Sequence, residues 1–194
     1  MRKQVRQEEP PVLKNGAVTW AASWSASRSE GKPWRWPVKD GIPVNQWILE
    51  PLRIQTASHC SFCDGFPVAA VSIETIEHFH PKSTFPEKAF EWGNLFYCCT
   101  RCQGAKKERF DPGILKPDEG EYDFARYFIF DYTTGEISPN PISTTEEQQR
   151  AFITIEHYKL NDGILPQERR RWLQIRRKIP EGELDDFAYR DFLS

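Results

Sequence analysis

The chain has no apolar run near the roughly 20 residues that a membrane-crossing helix needs. Its first residues, Met1-Arg2-Lys3-Gln4-Val5-Arg6, lack the apolar stretch of a secretory signal, so the expected compartment is the cytoplasm. No Gly-x-x-x-x-Gly-Lys-(Ser or Thr) occurs, which excludes ATP hydrolysis through a P-loop. Neither sign of charge is in clear excess: Lys and Arg number 26 against 28 Asp and Glu, for a formal net charge of -2. Bulk charge therefore carries no hint of nucleic-acid binding. Internal repeats and long low-complexity tracts are also missing.

What is present points to a folded globular protein. The 194 residues suffice for one substantial core. A hydrophobic content of 39% with 13% aromatics is more than disordered chains carry. Three stretches differ in character but are expected to form one compact unit. Residues 1–55 begin with a polar arm over 1–19, followed by tryptophans Trp20, Trp24, Trp34, Trp36 and Trp47 among prolines, which predicts short helices. The indoles are read as caps on the core, with a partner surface as the alternative.

Residues 56–110 hold the cysteines and most histidines. Within them Val68–Ile73 and Thr75–Phe79 suit strands, and residues 102–110 suit a helix. In residues 111–194, a loop over 111–121 precedes a β-hairpin, Tyr127–Tyr132 and Glu136-Ile137 around Thr133-Thr134-Gly135. A capping-box pattern, Ser143 to Glu146, starts a helix through Ile155. A second helix is expected over Gln167–Lys178, stopped by Pro180 and Gly182. This segment contains Arg169, Arg170, Arg171, Arg176 and Arg177, either a solvated face or a phosphate or partner contact.

Cys60-Ser61-Phe62-Cys63 and Cys99-Thr100-Arg101-Cys102 are two C-x-x-C knuckles. In a reducing compartment such pairs favour metal over disulfides, and four thiolates suit a tetrahedral structural zinc. Cys98, the odd fifth cysteine, is read as a packing residue, with replacement of Cys99 as a ligand the alternative. Between the knuckles lies Glu77-His78. Neutral imidazole is a suitable general base near neutral pH, and a neighbouring carboxylate can hold a hard cation. Together they meet the needs of phosphodiester hydrolysis. Alone, the dipeptide is weak evidence.

Its surroundings are more specific. Ile76-Glu77-His78-Phe79-His80-Pro81-Lys82-Ser83, followed by Trp92-Gly93-Asn94-Leu95 and Cys99-Thr100-Arg101-Cys102-Gln103-Gly104-Ala105-Lys106, resembles the HNH endonuclease motif over about residues 57–109. More loosely, the chain is similar to the PtuB-like nucleases of Septu-type and retron-type anti-phage systems. The resemblance implies an α+β fold with a ββα-metal core, surrounded by helices and a small hairpin. It implies His78 as general base, Glu77 as ligand of a catalytic Mg²⁺ or Mn²⁺, and Asn94 as brace of the loop that orients His78. Lys106 would lie near the phosphate, and the four cysteines would hold structural zinc.

Gln103 departs from the family, which has His or Asn there as the second ligand. Its amide oxygen can ligate from a longer side chain, and His80 is the alternative ligand. Lys82 is read as either a phosphate contact or a solvated lysine. His59 is expected beside the zinc ligands or at the surface, and His157 in a structural role. DNA is the first expected substrate, and structured RNA such as tRNA the other. Expected partners are a PtuA-like ATPase subunit and, in a retron setting, a reverse transcriptase with its DNA. The competing expectation is a zinc-stabilised binding module without catalysis.

Overall fold

The computed structural model describes residues 1–178 and 182–194 and has a mixed α+β architecture with three small two-stranded sheets. The expected helix stop at Pro180 lies outside the described residues. Helix α1 spans Pro11–Ser29, so the polar arm is shorter than 1–19. Pro11 sits in the first helical turn, where its missing N–H costs nothing and its fixed φ favours the helix. The arm proper, residues 1–10, is docked: Met1 is buried and Gln4 N donates to Pro117 O at 2.8 Å. Arg6 reaches Asp118 at 2.6 Å and Leu95 O at 2.7 Å.

A minimal hairpin, β1 (Val38–Lys39) and β2 (Ile42–Pro43), leads into α2 (Val44–Gln55). Helix α2 buries Val44, Ile48 and Leu52, the i, i+4, i+8 positions of one face. The strand expected over Val68–Ile73 is absent; Val68–Val71 form a single helical turn, α3, after Pro67. The apolar run is too short for its pattern to separate strand from helix.

The central unit follows. Strand β3 (Glu74–His78) pairs antiparallel with β4 (Leu95–Cys99), with Glu77 opposite Phe96 and His78 opposite Leu95. Helix α4 (Thr100–Lys106) starts directly after β4 and ends at Lys107 with φ 54°, short of the expected Phe110. All of β4 is buried, as are Phe62, Phe79 and Phe90 around it.

After a loop over 111–121, α5 (Phe124–Tyr127) leads into the expected hairpin of β5 (Phe128–Phe130) and β6 (Ile137–Pro139). Gly135 is required here: φ is 80°, and a Cβ would lie 2.0 Å from Pro166 O. Helix α6 (Thr145–Tyr158) has its capping box one residue later than expected, between Thr144 and Glu147. Helix α7 (Leu165–Ile175) continues as a 3-10 turn over Arg176–Lys178, and α8 (Arg190–Leu193) closes the chain. Among the described residues, no helix is long and apolar enough to cross a membrane.

Candidate metal centre and glutamate–histidine site

Cys60 and Cys63 come from the loop after α2, Cys99 from the end of β4 and Cys102 from the first turn of α4. Their sulfurs all lie within 4.8 Å of one another, and Sγ of Cys63 and Cys99 are 3.8 Å apart. Four sulfurs at about 2.3 Å from a common zinc stand about 3.8 Å apart, so the cluster has the size of a tetrahedral thiolate site. The N–H of Cys99 points at Sγ of Cys60 at 3.5 Å, a donor suited to a thiolate. Hydrogen bonds from Cys102 and Cys60 pull the Cys99 thiol far below its ordinary range. All four residues are buried, where shared negative charge calls for a cation. Cys98 lies outside the group; its thiol donates to Cys99 O at 3.3 Å, and it is fully buried.

The first knuckle is also clamped from the C-terminus. Arg190 makes a buried ion pair with Asp64 at 2.7 Å, and its backbone N–H donates to the same carboxylate at 2.7 Å. His59 is not at the surface: Nε2 contacts Phe187 O at 2.9 Å, Nδ1 contacts Ala57 O at 2.6 Å, and the ring stacks on Phe66.

Roughly one strand length away, β3 carries Glu77 and His78 into the interior. Nε2 of His78 lies 3.0 Å from Ala89 O. A carbonyl only accepts, so this bond needs the proton on Nε2 and leaves the lone pair on Nδ1. Burial, and then the charge of Lys82, push the imidazole down to about 3, so it is neutral at pH 7. Ala89 belongs to the loop between β3 and β4, and Asn94 ties that loop together. Asn94 Oδ1 accepts from His80 N at 2.7 Å, while Nδ2 donates to His80 O at 3.0 Å and Lys88 O at 2.9 Å. One side chain thus fixes both ends of the loop that offers Ala89 O to His78.

Lys106 is not open to a phosphate as expected. It is fully buried, and its Nζ donates to Glu77 Oε1 at 2.7 Å and to His78 O at 2.9 Å. Its position on the last turn of α4 aims it at β3, and the carboxylate there supplies the charge that lets it be buried. Burial pushes the Glu77 carboxyl up to about 7 against the pull of Lys106. Gln103 lies on the same helix face; its Nε2 donates to Ile76 O at 3.0 Å and pins α4 to β3. His80 sits half-buried among Phe79, Phe85 and Phe110, with Nδ1 3.2 Å from Asn94 Oδ1. Both are turned to protein partners. As arranged, the surroundings of Glu77 fit a second cation only in part, since one carboxylate oxygen already carries an ammonium.

Lys82 is not simply solvated. Its Nζ meets Glu108 Oε1 at 2.8 Å, and Ser83 Oγ donates to Glu108 Oε2 at 2.6 Å. His157 is structural, with Nδ1 2.9 Å from Ile153 O one turn back in α6. The arginine run divides. Arg169 is buried and donates to Gly135 O at 3.0 Å and Leu160 O at 2.6 Å, so it braces the hairpin. Arg176 bonds Leu193 O. Arg170 and Arg171 are exposed.

Sequence reasoning missed the parts played by four residues. Ala89 acts through its backbone, which no side-chain pattern reveals. Glu108 could have been noticed as the one acid within the basic stretch Lys106-Lys107-Glu108-Arg109. Trp34 and Trp36 are expected as caps on the core or as a partner surface, yet both rings touch His78, at centroid distances of 5.4 Å edge-on and 5.6 Å stacked. The chain significantly matches no protein-family model and no curated protein.

Proposed function

We propose that this chain is a metal-dependent endonuclease of the HNH type, hydrolysing phosphodiester bonds of nucleic acid, DNA first and structured RNA such as tRNA second. The observation that carries the reading is the tautomer imposed on His78 at the end of an antiparallel β3–β4 pair that runs directly into α4. With Nε2–H committed to Ala89 O, Nδ1 is the atom that accepts a proton from an attacking water. Asn94 keeps the loop, and so the imidazole, in that orientation.

The four cysteines would hold zinc in a structural role, bracing the knuckle to β4 and α4. Glu77 would hold Mg²⁺ or Mn²⁺, sharing its carboxylate with or taking it from Lys106; such a cation supplies positive charge to the phosphorane and leaving oxygen. Partnership with a PtuA-like ATPase, and with a reverse transcriptase and its DNA, rests on the resemblance alone, as does a role in anti-phage defence. Co-purification with the ATPase tests the first of these. The nuclease reading is tested by incubating plasmid DNA and tRNA with the zinc-loaded protein and Mg²⁺ or Mn²⁺, comparing wild type with His78→Ala. Equal cleavage by both forms would overturn it.

A second reading is favoured by a specific observation. Glu77, His78, Asn94 and Lys106 are all buried, and the Glu77 charge is already matched within the protein. A zinc-stabilised binding module without catalysis would look the same. It predicts no cleavage under any metal.

A further inference from the structure

His78 is covered by a segment that almost no backbone hydrogen bonding secures. Residues 33–37, Pro-Trp-Arg-Trp-Pro, join α1 to β1 without regular secondary structure. The backbone hydrogen bonds nearest to this stretch lie at its ends, Lys32 N to Ser27 O and Val44 N to Pro37 O. Between them the segment is held by rings. Trp34 stacks on Phe90 at 5.3 Å, meets Trp24 edge-on at 4.9 Å and has Lys82 Nζ over its face at 5.5 Å. Trp36 stacks on the His78 imidazole at 5.6 Å with 25° between planes. His78 keeps only 6% of its surface under this cover.

A phosphodiester cannot reach Nδ1 of a histidine so enclosed, because the attacking water and the phosphate both need contact with that ring. We propose that residues 33–37 are an autoinhibitory lid over His78, and that its displacement is the step that admits substrate; this rests on the nuclease reading. The lid is built to move. Ring contacts can be exchanged a few at a time without breaking a sheet or helix ladder. A recess of about 460 Å³ flanks the lid, lined in part by Trp20, Trp24, Lys32, Arg35, Trp36 and Phe90, and offers a released indole somewhere to go. Prolines at both ends lack N–H groups, so fewer backbone donors are available to tie the segment down.

The test uses the full zinc-loaded chain as wild type, Trp34→Ala/Trp36→Ala and Pro33→Gly/Pro37→Gly, the last loosening the hinges while keeping both rings. Circular dichroism and zinc content check folding. Diethyl pyrocarbonate labelling of each histidine is followed by peptide mass spectrometry, with half-buried His157 as internal reference. Cleavage of plasmid and tRNA with Mg²⁺ or Mn²⁺ is measured on the same samples. His78 in wild type should label at least about tenfold more slowly than His157, and at least about tenfold faster in whichever variants fold, with cleavage rising alongside. Fast labelling of wild-type His78, or no gain in the folded variants, overturns the lid and leaves the nuclease reading standing. A gain in labelling with unchanged or lower cleavage, in a wild type that cuts, overturns autoinhibition. A gain in labelling with no cleavage by any form removes the nuclease reading, and the proposed regulation with it.

Discussion

Lys106 and Glu77 form an ion pair of 2.7 Å between α4 and β3, with the lysine side chain entirely out of solvent. The pair joins the two elements that carry the candidate site. Removing one partner leaves the other charge buried, which costs about 3–5 kcal/mol, whereas replacing both by apolar groups of similar size is often near neutral. Glu77→Leu is therefore expected to lower the urea midpoint strongly, and Lys106→Met/Glu77→Leu to recover most of the loss. Urea unfolding followed by tryptophan fluorescence measures both. A single variant as stable as wild type would mean that the pair is not formed in solution.

The zinc prediction is quantitative. Purified protein should carry one zinc per chain by elemental analysis, and Cys63→Ser or Cys102→Ser should lose it. Structural zinc supplies about 10–16 kcal/mol to small zinc-folded peptides, so chelation by a strong competitor should lower Tm by many degrees. Cys98→Ser, outside the sulfur cluster, should keep the metal. A wild type that is metal-free and equally stable contradicts the site.

How far the sequence could be read divides along the range of the interactions. The four-cysteine cluster was legible because two-residue spacing within each knuckle is local. The turn at Gly135 and the helix after Thr144 were legible for the same reason, although the box slid from Ser143 to Thr144 because two adjacent hydroxyl residues are each followed by a glutamate at the third position. Pro10-Pro11 fall within the arm expected over 1–19, yet Pro11 begins α1, where a proline is tolerated best. The Lys106–Glu77 pair, the Glu108 contact with Lys82 and the Arg190 clamp on Asp64 depend on which elements pack together, and no local pattern encodes that. The same holds for Trp34 and Trp36, whose composition signalled burial but not what they bury.

Asn94 makes four side-chain hydrogen bonds across the β3–β4 loop, to the backbone N–H and O of His80, to its ring Nδ1 and to Lys88 O. Asn94→Ala leaves His80 N, His80 Nδ1 and two carbonyls without that partner, and such groups, part-buried here, cost up to about 1–3 kcal/mol each when unsatisfied. Destabilisation of about 2 kcal/mol or more is expected, together with loss of cleavage out of proportion to the folded fraction, because Ala89 O is no longer held against His78. Asn94→Asp should be intermediate in stability, keeping the acceptor for His80 N. Urea melts and single-turnover cleavage at a temperature where all forms are folded separate the two effects.

Glu108 gives a pH dependence with a definite sign. Partial burial pushes its carboxyl up, but hydrogen bonds from Lys82 and Ser83 outweigh this and hold it at about 2, below the ordinary 4.5. A carboxyl held low in the folded chain contributes stability that is present above about pH 4.5 and is lost as pH falls towards 2. Wild type should therefore exceed Glu108→Gln in Tm at pH 7, and the gap should close in acid. The gap should be small, since the Glu108 side chain is half exposed and such pairs are worth little. A gap that widens as pH falls would contradict the assignment.

Gln103 allows a strut and a metal ligand to be told apart on one side chain. Its Nε2 is spent on Ile76 O, one residue before Glu77, so the contact sets how β3 lies against α4. A neutral amide oxygen is a hard donor suited to Mg²⁺ or Mn²⁺. Gln103→Ala loses both atoms; it should cost about 1 kcal/mol for the hydrogen bond and raise the Mg²⁺ concentration needed for half-maximal cleavage. Gln103→Met keeps the length and apolar stem but neither polar atom, so it should share the metal defect while packing better. Gln103→Asn is one methylene shorter and cannot span to Ile76 O without movement, yet it presents the same oxygen; it should lose stability and keep more of the metal response than Gln103→Ala. Titrations of Mg²⁺ and Mn²⁺ against cleavage rate, beside urea melts, resolve the four forms. Metal curves that coincide for wild type and Gln103→Ala, with only the melts displaced, would assign Gln103 to the strut alone and leave Glu77 as the carboxylate on which a catalytic cation depends.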